Sequence, residues 1–392
     1  MRVVIAPDSY KDALAASDAA AAIAEGVKRG YANATTCLCP LGDGGEGTLE
    51  AILHASGAEP QQLDVKDALG RPTTARWGLI DQDGVSTAII ELAEAAGLQQ
   101  LAPNERDARI TTTYGVGELI RAALDHQIDH LILTLGGSAT NDGGTGMLSA
   151  LGARFLDSDG EELPPGGAAL AHLAEIDLSA LDPRLQQINI QAAVDVNNPL
   201  TGEQGASAVF GPQKGANEST VAELDRALQQ LSTISQQVLG RDDSTVAGAG
   251  AAGGMGFAAS AFLNAELRPG IELVTEVLNF EALLPDAQLV IVGEGSLDAQ
   301  SLGGKTPVGA ARLAKKHGIP CVALVGKLGD GWQGVHDEGI TAAFALADGP
   351  ASLEEVLPKT AAALADRAEE IIRLWRAAQE MSLSSSSPSS PS

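Results

Sequence analysis

Short β-branched apolar runs alternate with alanine-rich stretches at helical spacing along this chain, and most apolar runs end in a polar, glycine-bearing cluster. Arg2–Ala6 predicts a strand, and Ser17 predicts the cap of a helix reaching about Arg29. Thr35–Pro40 predicts a second strand, followed by a short helix carrying Leu49, Ile52 and Leu53. From Gln61 to Glu91 the texture changes to short alternating runs broken by LGRP and DQDG, which predicts antiparallel hairpin strands and a new domain beginning near residue 60. A helix from about Gly115 to Asp125, a strand Leu131–Leu135 and a helix near Met147 follow. INIQAAVD predicts a strand ending at Asp195, Thr220–Leu239 a long amphipathic helix, and AGAGAAGGMG a flexible glycine hinge into a further helix. Gln288–Val292 predicts a buried strand, Pro307 the opening of a helix where proline is tolerated, Pro320–Val325 a strand, and Ser352–Gln379 a last helix.

Composition narrows this picture. A length of 392 residues favours two α/β domains over one. With 44% hydrophobic but only 3% aromatic residues, the core must be built from Ala, Val, Leu and Ile. No apolar stretch is long enough to span a bilayer and the amino terminus runs from a short strand into charged residues, so the expected setting is the cytoplasm, without a membrane partner. A net charge of -26 argues against nucleic acid or acidic lipid as partner. Cys37, Cys39 and Cys321 lack CxxC spacing and read as plain buried thiols. Residues 381–392, rich in Ser and Pro, predict a disordered tail.

The candidate chemistry lies in the glycine-bearing clusters. GGSATNDGGTG, Gly136 to Gly146, follows the LILTL strand and enters a helix, an arrangement suited to cradling a phosphate on backbone N–H groups. Four more clusters sit at predicted strand ends: APDSYKDA (Ala6–Ala13), GDGGEGT (Gly42–Thr48), DVNNPLTG with FGPQKG (Asp195–Gly202, Phe210–Gly215), and GEGSLDAQSLGGKTP (Gly293–Pro307). Ligands bind open α/β sheets at such ends. Positive charge for phosphate would be local, from Lys11, Lys214, Lys305, helix ends and a divalent cation. Two matches mislead. GAGAAG (Gly248–Gly253) fits the dinucleotide fingerprint but follows a helix, and GGKT (Gly303–Thr306) lacks the first glycine of a Walker A loop.

Taken in order, APDSYK, DGGEGT, GGSATNDGG, NPLTG with FGPQKGA, GAGAAGGMG and the GEG, DAQS, GKTP series resemble the bacterial-type glycerate kinase family from Met1 to about Gln379. The resemblance implies transfer of the γ-phosphoryl of ATP to glycerate, with Mg²⁺. It also implies a two-domain α/β architecture with the active site in the interdomain cleft. A Rossmann-like domain would comprise residues 1–60 and 285–380, with a second α/β domain, 61–284, inserted. Asp12 stands where relatives often have Gly or Glu.

Phosphoryl transfer asks mainly for positioning and charge neutralisation. Gly136, Gly137, Ser138, Thr140, Asn141, Lys214 and Lys305 are the candidates for the phosphates of the nucleotide, and Asp8, Ser9, Asn198, Gln300 and Ser301 for the substrate. Lys11 is a further point charge of the catalytic set, Asp195 the candidate general base, and Asp43 its reserve. Asp43, Glu46, Asp142, Glu294 and Asp298 are the carboxylates available to Mg²⁺. Structural alternatives stand beside several: Asp195 and Asn198 could hold a turn, and Glu294 and Asp298 could cap helices. Phosphorylation at C2 of D-glycerate is the expected outcome, with C3 as the alternative. A nicotinamide-dependent hydroxy-acid dehydrogenase and a non-enzymatic ligand-binding protein are the competing classes.

Overall fold

The computed structural model describes residues 1–82, 84–347, 349 and 352–385. The chain is a two-domain α/β protein. One compact unit comprises Met1–Asp43, Glu50–Ala55 and the chain from Val274 onward; the other comprises Gly44–Leu49 and Ser56–Leu273.

Unit one is built on five parallel strands, numbered in chain order: β1 (Arg2–Pro7), β2 (Thr35–Leu38), β11 (Leu289–Leu297), β12 (Cys321–Leu328) and β13 (Ile340–Ala345). They lie in the order β13-β12-β11-β1-β2. Counted within the unit, this is the doubly wound 2-1-3-4-5 order rather than the 3-2-1-4-5-6 order of dinucleotide-binding sheets, and its switch point falls between β1 and β11. Val3, Ile5, Leu289 and Ile291 bury one face of the sheet under Ile23 and Val27 of helix Ala16–Gly30 and Leu364 and Ile372 of helix Thr360–Ser385. These two helices approach closely: a Cβ at Gly26 would stand 2.0 Å from the Ala365 carbonyl oxygen.

Unit two has a six-stranded sheet in the order β10-β9-β6-β5-β4-β3. The strands are β3 (Gln61–Lys66), β4 (Pro72–Gln82), β5 (Val85–Glu91), β6 (His130–Thr134), β9 (Asn189–Ala193) and β10 (Glu266–Arg268). β3, β4 and β5 pair antiparallel, while β5, β6, β9 and β10 pair parallel. β7 (Arg154–Leu156) and β8 (Glu175–Asp177) form a separate antiparallel pair. Glu91, Thr134, Ala193 and Arg268 are successive register partners, so the four parallel strands end in one row.

Several local expectations differ from the structure. Ser17 caps nothing: the first helix starts at Ala16, and Ala15 holds its N-cap position. β11 extends to Leu297, so Glu294 lies within a strand paired with Val325, not at a helix start. The GAGAAGGMG segment is no hinge. Gly248–Ala251 and Gly253–Ala259 are buried, and a Cβ at Gly253 would lie 2.0 Å from the Thr140 carbonyl oxygen. Glycine serves there for close approach, not freedom. The last helix reaches Ser385, since no proline interrupts it before Pro388; the rest of the expected Ser/Pro tail lies outside the described residues. Cys39 and Cys321 are buried, and burial pushes the Cys39 thiol up to about 12; Cys37, expected to be buried as well, is half-buried because it lies on the edge strand β2. Among the described residues no helix is long and apolar enough to cross a membrane.

Candidate active site

At the carboxyl edge of unit one, Asp8 leaves β1 beside the switch point. The register partner of Pro7 is Gly293, which brings Asp8 beside Glu294 of β11, and the Asp8 N–H donates to the Gly293 carbonyl at 2.8 Å. Thr306 Oγ1 donates to Asp8 Oδ2 at 2.5 Å, and the Ser9 N–H donates to Asp8 Oδ1 at 2.6 Å. The buried Ser301 hydroxyl donates to Glu294 Oε1 at 3.2 Å. Lys305 occupies the N-cap position of helix Thr306–Lys316. Burial first, then the Asp43 charge, raises the Asp8 carboxyl to about 7, against the hydrogen bonds from Thr306 and Ser9. Burial likewise raises Glu294 to about 7; Lys305 opposes the shift, while Asp8 and Asp43 add to it. Three carboxylates, one lysine and a helix start are therefore gathered electrostatically at the switch point.

The remaining unit-one candidates lie around this group. Asp298 is a local brace: its Oδ1 accepts from the Gln300 N–H at 2.8 Å and caps the short turn Ala299–Gly303. Its carboxylate organises the loop as the capping alternative foresaw. Gln300 and Lys11 are exposed, and Ser9 and Asp43 are half-buried.

Among the described residues no group of three or more His, Cys, Asp or Glu side chains has the geometry of a metal cage. Mg²⁺ needs none, because it takes one or two carboxylates and fills its shell with phosphate oxygens and water. Asp8 and Glu294, whose charged forms are disfavoured without a counter-ion, fit that demand.

In unit two, the segment Gly44–Leu49, which holds most of the DGGEGT motif, seats on the row of strand ends. The Gly136 N–H donates to the Gly44 carbonyl at 3.1 Å, and a Cβ at Gly136 would lie 2.4 Å from Gly45 Cα. Glu91, at the end of β5, accepts from the Gly47 N–H at 2.9 Å and the Leu49 N–H at 2.8 Å. The candidate ligand Glu46 is exposed on this segment.

The GGSATNDGGTG loop divides into two parts. Asp142 is fully buried, and its carboxylate accepts from the Thr113 N–H (2.8 Å), Thr113 Oγ1 (2.9 Å), the Gly144 N–H (3.1 Å) and the Gly146 N–H (3.2 Å). The Thr145 N–H goes to the Asp142 carbonyl at 3.1 Å, and the Met147 N–H to Thr113 Oγ1 at 2.9 Å. The amides at the start of helix Thr145–Ala150 are thus taken by Asp142 and Thr113, which corrects the expected phosphate cradle there. Asp142 is equally unavailable to Mg²⁺, since its oxygens are committed. Burial raises its pKa, and the bonds from Thr113, Gly144 and Gly146 oppose the rise. Thr140 and Asn141 are also fully buried, with Asn141 Nδ2 donating to Ser207 Oγ at 2.9 Å. Only Gly136 and Gly137 of the loop's first part reach the surface, with Ser138 just beneath.

Lys214 is buried under this loop, donating to Ser138 Oγ and the Thr140 carbonyl, each at 2.7 Å. Burial lowers it to about 7 against the pull of Asp142. It braces the loop from within. Asp195 is exposed past β9, with Oδ1 accepting from the Gly270 N–H at 3.0 Å. Asn198 holds its turn, donating to the Gln204 carbonyl at 2.7 Å.

The sequence reading missed Glu91, Thr113 and Thr306. Glu91 left a signal, a carboxylate closing the apolar run that ends β5, and Thr306 lies in the GKTP motif without having been picked out as a site residue.

Comparison with known proteins identifies the family of the chain as a whole. The model of the glycerate kinase family matches residues 3–376. A relative from Escherichia coli (strain K12), named glycerate 2-kinase, is 47% identical, covering 91% of this chain and 93% of its own. Another from Halalkalibacterium halodurans, named glycerate kinase, is 45% identical over 94% of this chain and 97% of its own. A crystal structure from Salmonella typhimurium LT2, provisionally named glycerate kinase 2, superposes with a TM-score of 0.87 at 44% identity, covering 97% of this chain and 99% of that one. The chain belongs to the glycerate kinase family.

Proposed function

We propose that this protein transfers the γ-phosphoryl of ATP to D-glycerate at the 2-hydroxyl, giving 2-phosphoglycerate and ADP. The observation that carries the reading from the geometry is the Asp8–Glu294 pair at the unit-one switch point, with Lys305 and a helix start beside it. The name of the Escherichia coli relative supports position 2 over position 3.

In this reading Asp8 and Glu294, with Asp43 near them, hold Mg²⁺, which when bound neutralises phosphate charge. Lys305 and Lys11 attract the phosphates, and Ser9, Gln300 and Ser301 position substrate oxygens. In unit two, Gly136, Gly137 and Ser138 offer backbone and hydroxyl donors to an anionic ligand, and Asp195 removes the proton from the attacking hydroxyl. Transfer leaves that proton on Asp195, forms the oxygen–phosphorus bond to glycerate and releases the electron pair to ADP. The implied compartment is the cytoplasm, where ATP is available and free thiols such as Cys37 persist.

The test is ADP release from purified protein with MgATP and D-glycerate. Product consumed directly by enolase establishes the 2-phosphate; consumption only after a mutase is added establishes the 3-phosphate. No ADP from folded protein would overturn the substrate assignment.

A further inference from the structure

Glu91 is 3% exposed, and the groups that act on its carboxyl are the Gly47 and Leu49 amides and the charges of Glu94 and Glu46, with no lysine or arginine among them. Its two carboxylate oxygens instead serve two different amides: Oε1 takes the Gly47 N–H and Oε2 the Leu49 N–H. The other end of the same segment is pinned separately. Gly44 donates to Thr48 Oγ1 at 3.1 Å, accepts from the Gly136 N–H, and packs where a Cβ would lie 2.7 Å from Ala193 Cβ. Between these two anchors Gly45 and Glu46 form the crest that reaches the surface, next to the exit of β6 at Gly136.

We propose that Glu91 is a positioning residue for phosphoryl transfer: its carboxylate clamps Gly44–Leu49 onto the strand ends of unit two, so that this segment and Gly136–Ser138 present one fixed surface to the reactants. The proposal rests on the kinase reading above. A buried carboxylate without a cation is costly to the fold, and burial raises this one to about 7 despite the two amides. Glutamine would be cheaper to bury but offers one acceptor, and would set its own donor against the second N–H. Only a carboxylate of this length satisfies both amides. Positioning errors of about 1 Å can cost about a hundredfold in rate, which gives such a clamp its catalytic weight.

Glu91→Gln is the test, with three readouts. Amide exchange should show Gly47 and Leu49 protected in the wild type and at least tenfold faster in the variant. Melting should change by no more than a few degrees, while kcat/KM with MgATP and D-glycerate falls at least tenfold in fully folded protein. Wild-type kinetics in the folded variant, or an activity loss that only tracks loss of folded protein, overturns the proposal. Fast exchange at Gly47 and Leu49 in the wild type overturns it without any variant. A wild type inactive on glycerate sinks the substrate reading alone; the clamp is then supported if Glu91→Gln speeds exchange at those two amides, and overturned if their protection survives.

Discussion

Lys214 Nζ donates to Ser138 Oγ across 2.7 Å, beneath the surface of the glycine-rich loop. In its charged form Lys214 has donors only, so the Ser138 oxygen then accepts and its own hydrogen is turned elsewhere. Lys214 therefore sets the hydrogen-bonding sense of a serine at the loop's edge, which is a different task from binding phosphate as a surface charge.

This buried lysine predicts a pH signature. Asp142 is the charged group facing it, and its pull does not prevent burial from lowering Lys214 to about 7 from its ordinary 10.5. Between those values the unfolded chain holds a proton that the folded chain has released, so this group makes stability rise with pH there; below about 7 it contributes no slope. Lys214→Met should abolish that alkaline component. Urea midpoints at pH 7 and pH 9 that differ by the same amount in variant and wild type would rule it out.

Glu294→Gln should leave the fold intact, since the amide oxygen can still accept from Ser301, but should remove one carboxylate from the switch point. A bound metal supplies several kcal/mol of transition-state stabilisation, so kcat should drop by about a hundredfold or more. Steady-state ADP release measures it, and a variant within a few-fold of wild type would exclude Glu294 from the metal site.

Asp195→Asn separates base from brace. Asparagine caps as well as aspartate and can keep the bond from the Gly270 N–H, so melting should be unchanged. Turnover should fall by about two orders of magnitude or more if Asp195 takes the hydroxyl proton. Unchanged turnover with unchanged melting would return Asp195 to a purely structural role.

Gly253→Ala tests the buried brace. The added methyl would stand 2.0 Å from the Thr140 carbonyl oxygen, at a φ of +68°. Overpacking costs about 1–3 kcal/mol and the left-handed backbone about 1–2 more, so denaturant unfolding should show a loss of at least about 2 kcal/mol. A neutral substitution would mean that the segment yields, as a hinge would.

The legibility of this chain varied with the range of the contacts involved. Strand and helix positions were readable because burial imposes periodicity: the hairpin region Gln61–Glu91 shows its antiparallel character in the alternation of β3 and β4. The end of the strand expected at Val292 falls short because the GEG glycines look like a loop, whereas pairing with β12 carries the strand through them to Leu297. The hinge was misread for a related reason, since sequence shows that a glycine is present and not which backbone comes near it. Asp142 joined the ligand candidates by its company of glycines and Asn; that its Oδ2 is spent on Thr113, 29 residues away, is a tertiary fact. Asp12 shows the converse. Its φ of +63° lies in the left-handed region that favours glycine, a local strain that the residue type alone does not announce.

With the Asp142 carboxylate lodged among the amides of its own loop, the protein carries an internal stand-in for an anion. The loop acquires its shape during folding and needs no visitor to order it, so the ledge at Gly136 and Gly137 is preorganised and the entropy of shaping it is not charged again at each turnover. Free phosphate or sulfate finds no vacancy at this helix start, so simple anions should be poor competitors there, and discrimination falls to groups at the loop's rim.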